Sequence, residues 1–148
     1  MKIALTGDFH FGFSEDAAPQ AARALESCKD ADAVIAAGDL FDARVPRQET
    51  LNEAFLVFAN AKKALNSGVE ISEISSNPDK TTSITGYPPI FVIHGTHERR
   101  SRGLVNPIDL LDSAHAAVNI HGRIIEIKKN GERVCLQGMG GVPEEYAR

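Results

Sequence analysis

The chain has 148 residues, of which 43% are hydrophobic and 24% are charged. This length suits one domain, and this composition excludes wholesale disorder, collagen-like repeats and coiled coils. Sixteen Lys and Arg against twenty Asp and Glu give a formal charge of -4, which excludes a protein that coats DNA by bulk charge. We expect a cytoplasmic protein with free thiols, because Cys28 and Cys135 are far apart and neither a signal peptide nor a membrane span is visible.

The first two thirds of the chain have the pattern of a parallel α/β fold. Residues 3–6 and 33–37 are apolar runs of strand length, and residues 18–29 between them have helical spacing. This order predicts a β-α-β unit with two parallel strands. A long helix over 49–65 and a third buried strand over 89–94 follow. We therefore predict an α/β fold in which helices cover the faces of a layered sheet.

Two interpretations fit the polar segment 72–86, which is rich in Ser, Thr and Asn. It is either a mobile surface insertion or a short hairpin built around residues 77–79. Because the segment is longer than most connections in compact domains, we favour the mobile insertion.

Local signals predict the elements of the last third. Asn106 followed by Pro107 is typical of a helix N-terminus, and the apolar spacing continues to Ala114. Asn130-Gly131 predicts a two-residue hairpin turn. A further helix is predicted to begin at Pro143. The predicted strands of this region cover residues 118–120, 123–128 and 132–137.

Each of the three predicted parallel strands ends in a glycine followed by polar residues. Ligands of parallel α/β sheets gather beyond these carboxyl ends. Asp8 and His10 are two residues apart, so an extended chain directs both to one side. The carboxylate of Asp39 has two oxygens and could bridge two cations roughly 3.5–4 Å apart. Mixed His and Asp ligands favour Mn, Fe or Zn over Ca. The three segments are Gly7-Asp8-Phe9-His10, Gly38-Asp39-Leu40-Phe41-Asp42 and Gly95-Thr96-His97-Glu98.

Other polar residues in these regions are interpreted as structural. His94 is expected to be the buried last residue of its strand, and His115 and His121 lie where helix-end and turn histidines commonly occur. Glu98 is expected to cap the turn after His97. Asp42 is expected to fix its loop by hydrogen bonds.

The three motifs, in this order and with β-α-β spacing, resemble the first three motifs of the calcineurin-like metallophosphoesterases. The Gly-Asp-Leu-Phe-Asp form of the second motif resembles the archaeal branch of the DNA double-strand-break repair nuclease named for meiotic recombination eleven, and so does Arg99-Arg100-Ser101-Arg102-Gly103. The resemblance spans the chain from its N-terminus to Gly138-Met139-Gly140. It implies the layered sheet of that family.

The resemblance also implies a role for each motif residue. Asp8 and His10 would hold one Mn ion, and Asp39 would bridge two. Thr96 would give the second Mn ion a ligand, and His97 would be catalytic. Thr96 stands where the family usually has Asn, and a hydroxyl is a poorer fixed ligand than an amide carbonyl.

The implied activity is a Mn-dependent exonuclease and endonuclease that hydrolyses phosphodiesters at DNA ends in double-strand-break repair. Arg99, Arg100 and Arg102 follow the third motif, where they either contact phosphate or are simply solvated. The family's partner is a coiled-coil ATPase named Rad-fifty, which would dock through regions beyond this chain. The family also takes metal-binding histidines from later motifs, so we expect residues 1–148 to be the N-terminal part of the phosphoesterase domain.

The helix over 49–65 has more than one apolar face. Leu56 and Val57 are left for another element or for a second chain, and the resemblance implies a homodimer through such helices. The residues expected to face the sheet are Leu51, Phe55, Phe58 and Leu65.

Two other functions fit the sequence. The same fold could act on a nucleotide or a phosphoprotein, in which case it would hydrolyse phosphomonoesters. A non-catalytic scaffold that binds partners through the helix over 49–65 is the third interpretation. Thr96 and the missing later histidines favour the scaffold.

Overall fold

The computed structural model describes residues 1–65, 68–75, 81–100 and 103–141. No helix in these ranges is both long and apolar enough to cross a membrane. The helix predicted to begin at Pro143 lies outside them. In chain order the elements are β1 (Ile3–Thr6), α1 (Ala17–Ser27), β2 (Ala33–Ala37), α2 (Gln48–Ala64), β3 (Glu70–Ile74), β4 (Thr81–Ser83), β5 (Ile90–Ile93), α3 (Pro107–Ser113), β6 (Val118–Asn119), β7 (Ile124–Lys129) and β8 (Glu132–Gln137).

A parallel sheet with the strand order β1-β2-β5-β6 forms the centre of the fold. Each neighbouring pair is parallel, which confirms the predicted β-α-β unit and places the three motif-bearing strand ends at one edge. Helix α1 buries Ala17, Ala21 and Leu25, which are spaced four residues apart and so share one face. This face and α2 cover one side of the sheet.

A second, antiparallel sheet has the order β4-β3-β7-β8. Strands β3 and β4 pair in the register Ser72↔Ser83, so the prediction of a mobile insertion over 72–86 is wrong for the described residues. The reason is that β3 also pairs along its whole length with β7 and buries Ile71 in the core. A count of polar residues misses this, because one buried side chain and a long-range strand partner suffice to order the segment. Residues 77–79 lie outside the described ranges.

The two sheets enclose a second hydrophobic core. Its fully buried members include Phe91 and Val118 from the parallel sheet and Ile125 and Ile127 from β7. The predicted hairpin turn is confirmed, since β7 and β8 pair up to Lys129↔Glu132 and Asn130-Gly131 has positive φ at both residues.

The predicted start of α3 is also confirmed. The Asn106 side chain accepts the N–H groups of Ile108 and Asp109, and the Asp109 carboxylate accepts the N–H of Asn106. This reciprocal arrangement is a capping box, with Pro107 at the first helical position. The guanidinium of Arg123 then ties α3 to the antiparallel sheet, because it pairs with Asp112 and Glu73.

Helix α2 presents its faces largely as expected. Phe58 and Leu65 are buried, whereas Leu51 and Phe55 are only half-buried at the side of the core. Val57 is half-buried and packs against the same core, so the domain itself covers part of that face. Leu56 is 57% exposed.

The contrast between two large apolar residues of α2 gives a stability prediction. Phe58→Ala should lower the free energy of unfolding by about 3–5 kcal/mol, because it leaves a cavity beside the parallel sheet. Leu56→Ala, on the exposed face, should change it by less than about 0.5 kcal/mol. Urea unfolding followed by circular dichroism measures both. Equal losses in the two variants would contradict this packing.

Candidate functional site

The first two motif loops run side by side beyond the carboxyl end of the parallel sheet. The N–H of Asp8 donates to the carbonyl of Gly38 at 3.2 Å, and the N–H of His10 donates to the carbonyl of Asp39 at 3.1 Å. The loops therefore continue the pairing of β1 and β2 past the ends of the strands. This pairing fixes the side chains of both motifs at the same edge.

The third motif loop is attached to the second by side-chain oxygens. The N–H of His97 donates to Oδ1 of Asp39 at 3.1 Å. Glu98 is fully buried, and its two carboxylate oxygens accept the N–H of Phe41 at 2.7 Å and the N–H of Gly95 at 2.8 Å. The sequence suggested that Glu98 caps its own turn. In the structure Glu98 also joins the second and third loops.

Three of the predicted metal ligands have an unusual backbone conformation. Asp8, His10 and Asp39 have φ of 54°, 48° and 47°, in the left-handed region that side chains rarely adopt. Each such residue costs of the order of 1–3 kcal/mol and persists only where the surroundings enforce it, which is typical of functional sites. Gly95 leaves the space that the Asp39 side chain occupies, because a Cβ at residue 95 would lie 2.1 Å from Oδ1 of Asp39.

His10, Asp42 and His97 form a cluster whose ligand atoms all lie within 4.8 Å of one another. Oδ1 of Asp42 is 3.3 Å from Nδ1 of His10 and 3.5 Å from Nδ1 of His97. The two imidazole rings are 5.0 Å apart and nearly perpendicular. Nδ1 of His10 is buried and makes no hydrogen bond within the described part of the chain.

This donor set fits a divalent cation. Oδ1 of Asp42 lies 3.3 Å from Nδ1 of His10 without forming an aligned hydrogen bond, and a second imidazole faces the same space. A cation bound by these groups would satisfy the buried nitrogen. Imidazole and carboxylate together suit Mn, Fe or Zn. The imidazole of His10 and the carboxylate of Asp42 could therefore hold such an ion, with the imidazole of His97 beside it.

Asp42 lies in the histidine cluster. The sequence interpretation made Asp42 a residue that fixes its loop by hydrogen bonds, and its carbonyl oxygen does lie 3.3 Å from Nδ1 of His97. Its carboxylate is in addition the acidic member of the cluster, a position that the sequence interpretation did not include. The one sequence signal for this was a second acidic residue in the same strand-end loop as Asp39. Which of the two faces the histidines depends on how the loop turns.

The other predicted ligands lie in the same loops but outside this three-residue cluster. Asp8 and Thr96 are exposed, and Asp39 is half-buried with Oδ1 engaged by the N–H of His97. Their assignment as ligands stays a prediction, as does the catalytic assignment of His97.

The arginines after the third motif are only partly described. Arg99 and Arg100 are half-buried, and Nη1 of Arg100 donates to the carbonyl of Val105 at 2.8 Å. Arg102 lies outside the described residues. This bond links Arg100 to the backbone of Val105, and the other guanidinium donors of Arg100 can still contact a ligand.

A second pair of neighbouring histidines, His94 and His121, lies next to the start of the third motif loop. His94 is buried, as predicted, and its ring lies 4.5 Å from that of His121. Nδ1 of His121 accepts the N–H of Gly140 at 3.0 Å, and the N–H of Gly141 donates to the carbonyl of His94. Burial, followed by the neighbouring charge of His94, lowers the pKa of His121 and favours the neutral ring that this acceptor role requires.

Comparison with known families agrees with this geometry. The model of the calcineurin-like phosphoesterase family (Metallophos) matches residues 1–140, a range that contains all three motif loops. The chain belongs to this family. A search of curated proteins gave no significant match. The family supports a metal-dependent phosphoester hydrolase, and its domains bind divalent metals. The histidine cluster is a group of side chains that could hold such an ion.

The two hydrogen bonds of Glu98 give a prediction for the stability of the protein. Glu98→Gln places an amide nitrogen against one of two buried N–H groups, so it should lower the free energy of unfolding by about 1–3 kcal/mol. The matched control is Glu26→Gln on the exposed face of α1, which should be nearly neutral. Urea unfolding measures both. A Glu98→Gln protein as stable as the unmodified chain would show that the two bonds do not hold the loops.

Proposed function

We propose that this phosphoesterase domain is a Mn-dependent DNA nuclease, with exonuclease and endonuclease activity in double-strand-break repair. The observation that carries the proposal is the convergence of His10, Asp42 and His97 at the strand ends of a calcineurin-like phosphoesterase. The form of the second motif and the arginines that follow the third favour a nuclease within that family. We place the activity in the cytoplasm.

The proposed ligands of two divalent ions, most simply Mn, are His10 and Asp42 from the cluster together with Asp8, Asp39 and Thr96. These residues would hold ions that, when bound, would supply positive charge for phosphate oxygens and would lower the pKa of a bound water. The chain's own groups fix the ligands before substrate arrives, because the loop pairing and Glu98 hold the backbone. Such preorganisation lowers the cost of binding the reacting phosphate.

His97 is proposed as the residue that moves a proton. Its Nδ1 faces the carbonyl and carboxylate oxygens of Asp42, so a proton on Nδ1 is held by Asp42. Nε2 is then the nitrogen that can exchange a proton with the substrate or leaving oxygen. The imidazole is 44% exposed, so substrate can reach it.

We propose three partners: DNA, a second copy of this chain and a coiled-coil ATPase. Arg99, Arg100 and Arg102 would contact DNA phosphates beside the third motif. Leu56, exposed on α2, is proposed as part of a homodimer contact. A Rad-fifty-type coiled-coil ATPase is proposed to bind through regions beyond this chain.

The metal cluster gives a binding prediction. Asp42→Asn should weaken Mn binding by about tenfold or more, because it removes the negative charge that faces both imidazoles. Asp30→Asn, an exposed substitution away from the motif loops, is the control and should leave the affinity unchanged. Titration calorimetry with MnCl₂ measures each affinity. Equal binding by all three proteins would contradict the role of Asp42.

The proposed role of His97 gives a prediction for activity. His97→Ala should lower the rate of DNA hydrolysis by about a hundredfold or more. Mn binding should fall much less than in Asp42→Asn, because the proposed role of His97 is proton transfer.

The substrate class is tested on the unmodified chain. The rates of hydrolysis of a linear DNA duplex, a small phosphodiester and a small phosphomonoester are compared in MnCl₂. Hydrolysis of the phosphomonoester alone would contradict a nuclease and favour a phosphatase.

A further inference from the structure

Phe13 is an exposed aromatic residue beside the histidine cluster. Its side chain is 74% exposed, and its ring lies 6.4 Å from the imidazole of His10 in an edge-to-face arrangement. The N–H of Phe13 donates to the carbonyl of His10 at 2.9 Å, so a tight turn holds the two residues together. Burial of a phenylalanine side chain stabilises a protein by about 1.5–3 kcal/mol. Because Phe13 is largely exposed, it contributes little of this stabilisation to the fold.

The backbone around Phe13 is fixed by a close contact. Gly12 has φ of 92°, and a Cβ there would lie 3.0 Å from Cγ2 of Thr50 in the first turn of α2. Only glycine fits this conformation at this distance without strain. The turn that carries Phe13 is therefore held against α2.

A cavity of about 300 Å³ lies next to this turn, between the β1–α1 and β2–α2 loops. It adjoins Gly12 and Asp42, so it reaches the cluster. Its lining combines apolar side chains, including Val45, which is 70% exposed, with the cation Arg47. A nucleotide has matching chemistry, because it joins a planar apolar base to an anionic phosphate.

We infer that Phe13 stacks on a nucleobase next to the phosphate bound at the histidine cluster, with Arg47 contacting the sugar-phosphate chain. This inference rests on the proposed action on DNA and adds how the substrate is held. Stacking on an aromatic ring contributes about 1–3 kcal/mol per base and accepts every base. Phe13 therefore favours nucleic acid over other phosphoesters without reading sequence.

The absence of tryptophan from the chain makes a direct test possible. Phe13→Trp gives the protein one indole, whose fluorescence should be quenched when a single-stranded oligodeoxythymidylate binds and a base stacks on it. Ala64→Trp, at the exposed C-terminal end of α2 and away from the motif loops, is the control and should show no quenching. Equal quenching in both variants, or none in Phe13→Trp on binding, would overturn the inference.

Affinity provides the second measurement. Phe13→Ala should weaken binding of a labelled oligodeoxythymidylate by about 5- to 150-fold in fluorescence anisotropy. It should leave unchanged the binding of a sugar-phosphate chain of the same length without bases. An equal effect on both ligands, or no effect on either, overturns the role of Phe13 and leaves the nuclease proposal standing. Failure of the unmodified chain to bind either ligand overturns both proposals.

Discussion

The buried carboxylate of Glu98 is the interaction on which the candidate site depends most. It accepts N–H groups from Gly95 in its own loop and from Phe41 in the neighbouring loop. Without an acceptor there, both buried N–H groups would lose their partners. Because Phe41 immediately precedes Asp42, the same carboxylate fixes where Asp42 stands relative to His97. A site of three side chains is thus positioned by a fourth that is not part of it.

The rest of the fold keeps this edge of the sheet rigid. Hydrophobic cores lie on both faces of the parallel sheet, one beneath the helices and one beneath the antiparallel sheet. Close packing on both sides leaves the strands little freedom, so their carboxyl ends can hold backbone conformations that are unfavourable in isolation. Asp8, His10 and Asp39 have such conformations. The stability of the whole domain therefore supports the strain of a few residues at its edge.

The surface around the cluster combines features of different chemistry. The cluster joins imidazole to carboxylate, the adjoining cavity adds apolar side chains and Arg47, and Phe13 exposes an aromatic ring. In the proposed function, the phosphate is bound by charge and geometry at the cluster, and the apolar surface beside it contacts the group to which the phosphate is attached. Family membership alone says nothing about this second part, which is where phosphoesterases of one fold differ in substrate.

Sequence alone determined the local features. Apolar runs that end in Gly-Asp or Gly-Thr-His predicted the parallel strands and their polar ends, Asn106-Pro107 predicted the start of α3, and Asn130-Gly131 predicted the hairpin. Each depends on neighbours in the chain, so periodicity and backbone preference suffice. Tertiary structure decided what depends on distant residues: the pairing of β3 with β7, the 57-residue separation bridged by Glu98 and Phe41, and the choice of Asp42 for the cluster. These contacts form only when the whole sheet has assembled. The sequence showed two acidic residues after Gly38, but no local pattern indicates which of them faces the histidines.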